Sequence, residues 1–529
     1  SVVDRMRNPE SKIVKISTPI TDRLGTLRAK ELIFQYGDQA SANISEFIFK
    51  NVILHNVTYE SVLLRLRPIY HLQAAEGLIE IGGERVNEYA GRVGEHYEQA
   101  GELLKAANWY ARAGKQAQIT YEPDAAVHYY YKALEFLATN ADTAQVPLQL
   151  EIYSQLGEVL NWQARYTDAV DIYNAMLNLA TQVQDRIAQS RALQGLAASL
   201  SYRGDHRIAL ENAIQAESLA RDANAHMEIA KALWAQGSAR YRLGEPRAAL
   251  SLGEQALTIV TELNNLNEVA RSLNLLGAAH YALDQYTQAQ SYWENALKTF
   301  QELGNRQQGI LLLNNLGAIA DVRGDHDTAL QRYHSALEIA RESGYRDGEI
   351  LFLTNRGGEQ VALGNYGAAE ADLRQAIQLA GITGSWCMPI SFNYYAEALI
   401  GLGRYEEALY SAEQALFLSE EDKTPEYIGM AWRTLGMACE KLDKLLSLRD
   451  RETRQMINYD ARTCLSKSER IFAEAEIELE RARTLREWAK YEFKVGNQEQ
   501  ATKMWQEARD IFAKLGAEME VQQMGAFPG

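Results

Sequence analysis

Seven alanines, Ala169, Ala209, Ala249, Ala289, Ala329, Ala369 and Ala408, recur at successive separations of 40, 40, 40, 40, 40 and 39 residues. A period that strict leaves little choice of architecture. Identical supersecondary units that cannot bury their apolar faces alone must stack on their neighbours, which makes a solenoid. The length of 529 residues agrees, because it far exceeds what one globular core usually encloses, whereas a stack lengthens without thickening.

The surroundings of each alanine are patterned as well. Four residues on stands an aromatic or aliphatic residue and three after that another alanine, as in Ala289, Trp293, Ala296, in Ala329, Tyr333, Ala336 and in Ala369, Leu373, Ala376. Twelve residues before each first alanine is a small residue: Gly157, Ala197, Gly237, Gly277, Gly317, Gly357 or Ala396. Five before it is often a glycine: Gly204, Gly244, Gly324, Gly364 or Gly403. The first position marks close helix packing and the second a left-handed turn. Apolar residues between turns recur at helical spacing, as in Leu312, Leu313, Leu316 and Ile319, so each unit reads as helix, turn, helix.

Two more units are legible near the start, at Gly94, Tyr97, Gly101, Ala106, Tyr110, Ala113 and, degenerate, around Ala126, Tyr130, Ala133. Two close the chain. One has Trp432, Leu435 and Gly436, parted from its second helix by the charged stretch 441–460, which reads as an extended helix or a surface excursion. The other has Gly496, Ala501, Trp505 and Ala508, and its last helix carries Glu507, Arg509, Asp510 and Lys514, enough charge to cap the stack.

These offsets resemble the tetratricopeptide repeat in small residue, turn glycine, alanine, aromatic and alanine. The resemblance covers about eleven units from Ala90 to Leu515 and implies an all-α, right-handed α-α superhelix behind a short helical non-repeat region. The 40-residue unit exceeds the roughly 34 residues usual for this repeat, so helices or inter-repeat loops are longer, with TELNNLNEVA and QELGNRQQGI carrying the extra residues. The expected organisation is a non-repeat linker over 1–80, degenerate units over 81–140, a regular array over 141–420 and closing units over 421–529.

The linker has a resemblance of its own. Phe47 to Leu78 is similar to the segment joining ATPase module to repeats in bacterial STAND-type ATPases, which are often fused to class III adenylate or guanylate cyclases or to protein kinases. The matching positions are Phe49, Leu54, Val57, Tyr59, Leu63, Arg67, His71 and Ala74, while Asn51, Asn56 and Thr58 depart from it. An ATPase of that class needs a GxxxxGK[ST] loop to hold phosphates, and none is present. Gly114-Lys115 is the nearest echo, broken by Trp109 and Gln116. The resemblance implies the repeat portion of a longer signalling protein, or a diverged member without its motor. ATP binding by this chain is not expected, and neither is any other cofactor.

Charge and composition narrow the function classes. With 47% apolar and 23% charged residues and only 9 prolines, the chain has the profile of a folded protein. A net charge of −16 repels nucleic acid and anionic membranes, so neither is an expected partner. Cys387, Cys439 and Cys464 lack CxxC spacing, no apolar run suits a spanning helix, and SVVDRMRNPESK is no signal peptide, so the cytoplasm is the expected compartment. The sequons at Asn43 and Asn56 read as chance matches.

No Ser/His/Asp or Cys/His grouping is identifiable, and an enzyme is not expected. Arg203-Gly-Asp and Arg323-Gly-Asp sit at inter-helix turns, where Gly and Asp are turn formers. His206 and His326 follow those turns and read as solvated residues too far apart to share a metal. Met437 and Cys439 read as core or groove contacts.

Binding is the remaining class. In such solenoids the first helix of each unit lines the concave face, and the column three before the packing residue reads Ser154, Gln194, Trp234, Asn274, Asn314, Thr354, Asn393, Arg433. An amide offers donor and acceptor together and so can hold a peptide backbone without reading its sequence. Asn274 and Asn314 resemble the asparagine ladder of kinesin light chains. Neighbouring columns add Arg191, Lys231 and Arg271 and the rings of Tyr241 and Tyr281. The expected groove, Arg191, Gln194, Lys231, Trp234, Tyr241, Arg271, Asn274, Tyr281, Asn314 and Asn393, suits a protein or an acidic peptide, or a neighbouring ATPase or cyclase domain. Two alternatives remain: the inducer-sensing repeats of a maltose-regulator-type activator, which usually carry a helix-turn-helix domain where this chain has only EARDIFAKLGAEMEVQQMGAFPG after Trp505, and the non-catalytic tail of a cyclase or ATPase.

Overall fold

The computed structural model describes residues 20–36, 46–138, 143–449 and 455–525. The N-terminal SVVDRMRNPESK, the Asn43 sequon, the middle of the charged stretch at 450–454 and the last four residues lie outside the described residues. The chain forms two compact units, 1–156 and 157–529.

In the larger unit the helices come in pairs of near-equal length. His206–Asp222, His226–Arg242 and Pro246–Glu262 have 17 residues each, and three residues join each to the next. Helix, three-residue turn, helix, three-residue turn makes the 40-residue period. The extra residues therefore lengthen the helices and not the loops, and TELNNLNEVA and QELGNRQQGI are helix ends around a short turn.

Both turns need a left-handed residue. At the turn within a unit, Gly204, Gly244, Gly324 and Gly364 have φ between +74° and +101°. Between units the same conformation recurs at Gln184, Asn224, Asn264, Gly304, Gly344 and Gly384, again 40 residues apart. Only half of that second series is glycine. A non-glycine residue there gives up about 1–2 kcal/mol, less for Asn, whose side chain bonds locally.

Packing within a unit follows the small residue and the aromatic 16 positions later. A Cβ at Gly277 would come 2.5 Å from the Trp293 indole nitrogen, one at Gly317 2.7 Å from the Tyr333 ring, and one at Gly357 2.5 Å from Leu373. The first alanines of every regular unit, from Ala169 to Ala408, have no exposed surface. The helices thus approach until ring sits on bare backbone, and the interior is filled to organic-crystal density.

Successive turns of the solenoid also touch. The Trp162 ring stacks on Tyr345 with centroids 3.8 Å apart, and its N–H donates to the Ser343 carbonyl, 181 residues on. Tyr166 donates its hydroxyl proton to Asp347 at 2.5 Å, and the Glu478 backbone N–H donates to Asp284, 194 residues away. One superhelical turn therefore takes between four and five 40-residue units, and the next stacks on it. One apolar core runs through both layers, from Trp293, Phe300 and Leu316 to Leu485, Trp505 and Phe512.

The charged stretch is an excursion built of strands, not an extended helix. Leu446–Arg449 pairs antiparallel with Met456–Tyr459. Leu446 and Tyr459 face each other in that register and both turn inward, where Tyr459 meets Trp432 edge-on at 5.0 Å.

The smaller unit holds the helices Ile20–Ala29, Val52–Glu60, Arg67–Gly82 and three that follow the repeat pattern; the expected helical linker also contains an antiparallel strand pair, Ile33–Tyr36 with Glu46–Phe49. Gly94 meets Tyr110 and Gly114 meets Tyr130, again 16 residues apart, so the degenerate units pack by the same rule. Gly114-Lys115 lies inside the helix Leu103–Ile119 and forms no phosphate loop.

Candidate functional site

The stacked turns enclose a cavity of about 930 Å³ along the inside of the superhelix, lined wholly by residues of the larger unit. Gln194, Lys231, Trp234, Tyr241, Arg271, Asn274, Tyr281 and Asn314 all face it. Two of the ten expected residues do not. Arg191 is an outer residue whose Nε donates to Glu228 at 2.8 Å, and Asn393 is buried within the helix layer, donating to the Tyr427 carbonyl at 3.4 Å.

The amide column is real but partly spends its capacity on itself. Asn355 Nδ2 donates to Asn314 Oδ1 at 2.8 Å, Asn314 Nδ2 to Asn315 Oδ1 at 3.4 Å, and Asn315 Nδ2 to Asn274 Oδ1 at 3.1 Å. Three units are thereby tied by a chain of amides. Its two ends, Asn274 Nδ2 and Asn355 Oδ1, have no partner among the described residues. Gln194 likewise donates to the Glu228 carbonyl and keeps its own oxygen.

The basic character expected of the groove is largely balanced. Arg271 is bonded to Glu268 at 3.2 Å and lies over the Trp234 ring at 4.2 Å, while Trp234 donates to the Arg271 carbonyl. Glu228 and Glu268 stand on columns that a reading of three offsets skips. Lys231 and Arg242 carry no carboxylate bond among the described residues, although Arg242 covers the Trp386 ring at 3.5 Å. At this end the wall is aromatic and positive.

The opposite wall is a buried ion network. Arg433 is bonded to Glu480 at 2.5 Å and stands 3.6 Å from Glu397. Arg483 donates to Glu480 and Glu520 at 2.7 Å each. Burial pushes the Glu480 carboxyl up, but Arg433 and Arg483 together outweigh it and hold it at about 2; Glu520 is held there by Arg483 and Arg486 against the same burial. Glu426 lines the cavity, and the protein packed around it, then Glu480 and Asp284, raise its carboxyl to about 7.

A depressed carboxyl stabilises the fold above the unfolded pKa of about 4.5 and ceases to do so as pH falls toward about 2. Thermal unfolding is therefore expected to move down steeply between pH 4.5 and 2, by about 3 kcal/mol for Glu480 at most. In Glu480→Gln that fall should be visibly shallower; an identical pH profile would contradict the assignment.

His206 and His326 are not solvated turn residues. His206 is 5% exposed, and burial, with Arg242 nearby, pushes its imidazole down to about 3. His326 Nδ1 lies 2.5 Å from Glu359 Oε1. Both follow a left-handed glycine, Gly204 or Gly324, and His326 lines the cavity. Asp321, His326 and Glu359 form a compact trio on the cavity wall.

Among the described residues no helix is long and apolar enough to cross a membrane. No protein among the curated sequences compared matches the chain. Several solved structures are similar to it. A Rap protein complexed with competence and sporulation factor is 16% identical, covering 68% of this chain and 98% of that one, with a TM-score of 0.49. The apo form of the quorum sensor NprR from B. thuringiensis is 15% identical over 70% of this chain and 99% of that one, TM-score 0.44. BtubC from P. vanneervenii is 22% identical over 42% and 93%, TM-score 0.33. The family model of the tetratricopeptide repeat matches residues 148–222, 268–342 and 310–381, and over that stretch the chain is a scaffold of tetratricopeptide repeats.

Proposed function

We propose that residues 157–529 bind an extended peptide inside the superhelix. The observation that carries this reading is the enclosed cavity into which the amide chain, the aromatic rings and Lys231 project together. Asn274 and Asn355 present a free donor and a free acceptor, the pair a peptide backbone requires. Lys231, Arg242 and Arg271 at one end suit an acidic side chain or a carboxyl terminus, in charge-assisted bonds strengthened by the low dielectric of an enclosed site. The scaffold then serves as the sensing arm of a bacterial signalling protein, a context supported by the resemblance of Phe47 to Leu78 to a STAND-type linker. A cavity of this volume also lies within the range of small-molecule sites, which keeps an inducer-sensing role as the second reading.

Calorimetry with a positional library of short peptides, one arm rich in Asp and Glu, tests this. Lys231→Ala with Arg271→Ala is expected to weaken the acidic arm about 10-fold or more, and Asn274→Ala with Asn355→Ala to weaken all arms. Arg191→Ala should bind as wild type. Equal loss in Arg191→Ala and none in the cavity variants would refute the reading, and small-molecule uptake without peptide binding would favour the second.

A further inference from the structure

We propose that Asp321, His326 and Glu359 form a binding site for one divalent cation, of the zinc class, on the wall of the central cavity.

The fold builds this trio from two adjacent units. Asp321 lies at the end of the helix Arg306–Val322 and His326 at the start of His326–Glu342. Gly324 between them, at φ +75°, reverses the chain so that both side chains face the same way. Glu359 comes from the first helix of the next unit, Arg346–Ala362. His326 Nδ1 is 2.5 Å from Glu359 Oε1 and 4.0 Å from Asp321 Oδ1, and one ligand atom from each residue lies within 4.8 Å of the others. Zinc bonds of about 2.1 Å in a tetrahedron put ligand atoms about 3.4 Å apart. The trio brackets that spacing, and the His326–Glu359 contact would open by about 1 Å to admit the ion.

Chemistry supports the same conclusion. An imidazole nitrogen with two carboxylate oxygens is a zinc-type donor set, and its remaining positions open on the cavity. Asp321 and Glu359 share a side-chain hydrogen bond, which holds their carboxyl oxygens side by side facing His326 Nδ1. His326 Nε2 is buried without a hydrogen-bond partner, so among the described residues the ring is held by its Nδ1 contacts with Glu359 and Asp321. The ion would join consecutive units at the cavity wall and leave coordination positions free for water or for an oxygen of an occupant.

The chelator-stripped 529-residue chain titrated with zinc chloride is expected to take up one equivalent, and Glu359→Gln and His326→Gln each to bind at least about 10-fold more weakly. Asp321→Asn, nearly isosteric, serves as the third variant, and unchanged circular dichroism shows that each is folded. Cobalt chloride should give the visible absorption of a tetrahedral nitrogen–oxygen site that disappears in the same variants. No uptake by the wild type, or equal uptake by all three variants, would overturn the proposal. So would a sulfur charge-transfer band, which would place the ion at the buried Cys439 and Cys464.

Discussion

Arg433→Met is expected to destabilise the chain by about 3–5 kcal/mol, because it leaves two carboxylates beside the cavity without their nearest cation. Arg433 is 5% exposed and sits in the concave column, in the helix Pro425–Leu442. Its guanidinium reaches Glu480 Oε2 at 2.5 Å and stands 3.6 Å from Glu397. Glu480 still has Arg483, but Glu397 loses its nearest opposite charge, and burial already raises its pKa. The methionine restores the volume and the contact with the apolar wall, so the loss isolates the charge. Urea unfolding of the single variant should show the full effect at neutral pH. Arg433→Met with Glu480→Gln and Glu397→Gln should recover most of it, since removing every partner of a buried pair is often close to neutral. A triple variant as unstable as the single one would show that packing around Arg433, and not its charge, holds this wall.

The same residue shows what a sequence can and cannot disclose about such a site. Arg433 appears in the amide column by its offset, three before Gly436, yet nothing near it in sequence announces Glu480, 47 residues on, as its partner. Helices, turns and the packing of Trp293 on Gly277 were legible because they rest on separations of 3 to 16 residues that repeat. The second set of left-handed turns was not, because Gln184, Asn224 and Asn264 occupy it as well as glycine. The strands of the charged excursion escaped because Leu446 and Tyr459 are inward only in a register set by their pairing. Of the expected groove, eight residues reach the cavity because helical periodicity fixes which face is concave. Arg191 and Asn393 do not: Arg191 is drawn to Glu228 on the next unit and Asn393 is fully buried against the Tyr427 carbonyl, partners that no nearby residue announces. The carboxylates that balance Arg191 and Arg271, Glu228 and Glu268, stand nine residues before Gly237 and Gly277, outside the three columns that mark the concave face.

Stacking of one superhelical turn on the next is the feature with no periodic signal at all, and it sets the second large effect. Trp162→Ala is expected to destabilise the larger unit by about 3 kcal/mol, the lower end for a large aromatic because Trp162 is only partly buried, and to widen it. Solenoid repeats ordinarily contact only their neighbours, so each contact across about 180 residues closes a long loop that the stack alone would leave open. Trp162 provides two of them, the stack on Tyr345 and the N–H bond to the Ser343 carbonyl, and Tyr166 beside it donates to Asp347. With the indole gone, the Ser343 carbonyl loses its donor and Tyr345, which lines the cavity, loses a ring face. Small-angle scattering should report a larger radius of gyration, and urea unfolding should split into two transitions as the layers uncouple. Tyr166→Phe is the milder comparison: it removes one hydrogen bond worth about 1 kcal/mol, and Asp347 keeps its bond from Ser385 at 3.0 Å. If Trp162→Ala kept the wild-type radius and a single transition, closure of the two layers would reside in the core shared by Trp293, Leu485 and Phe512.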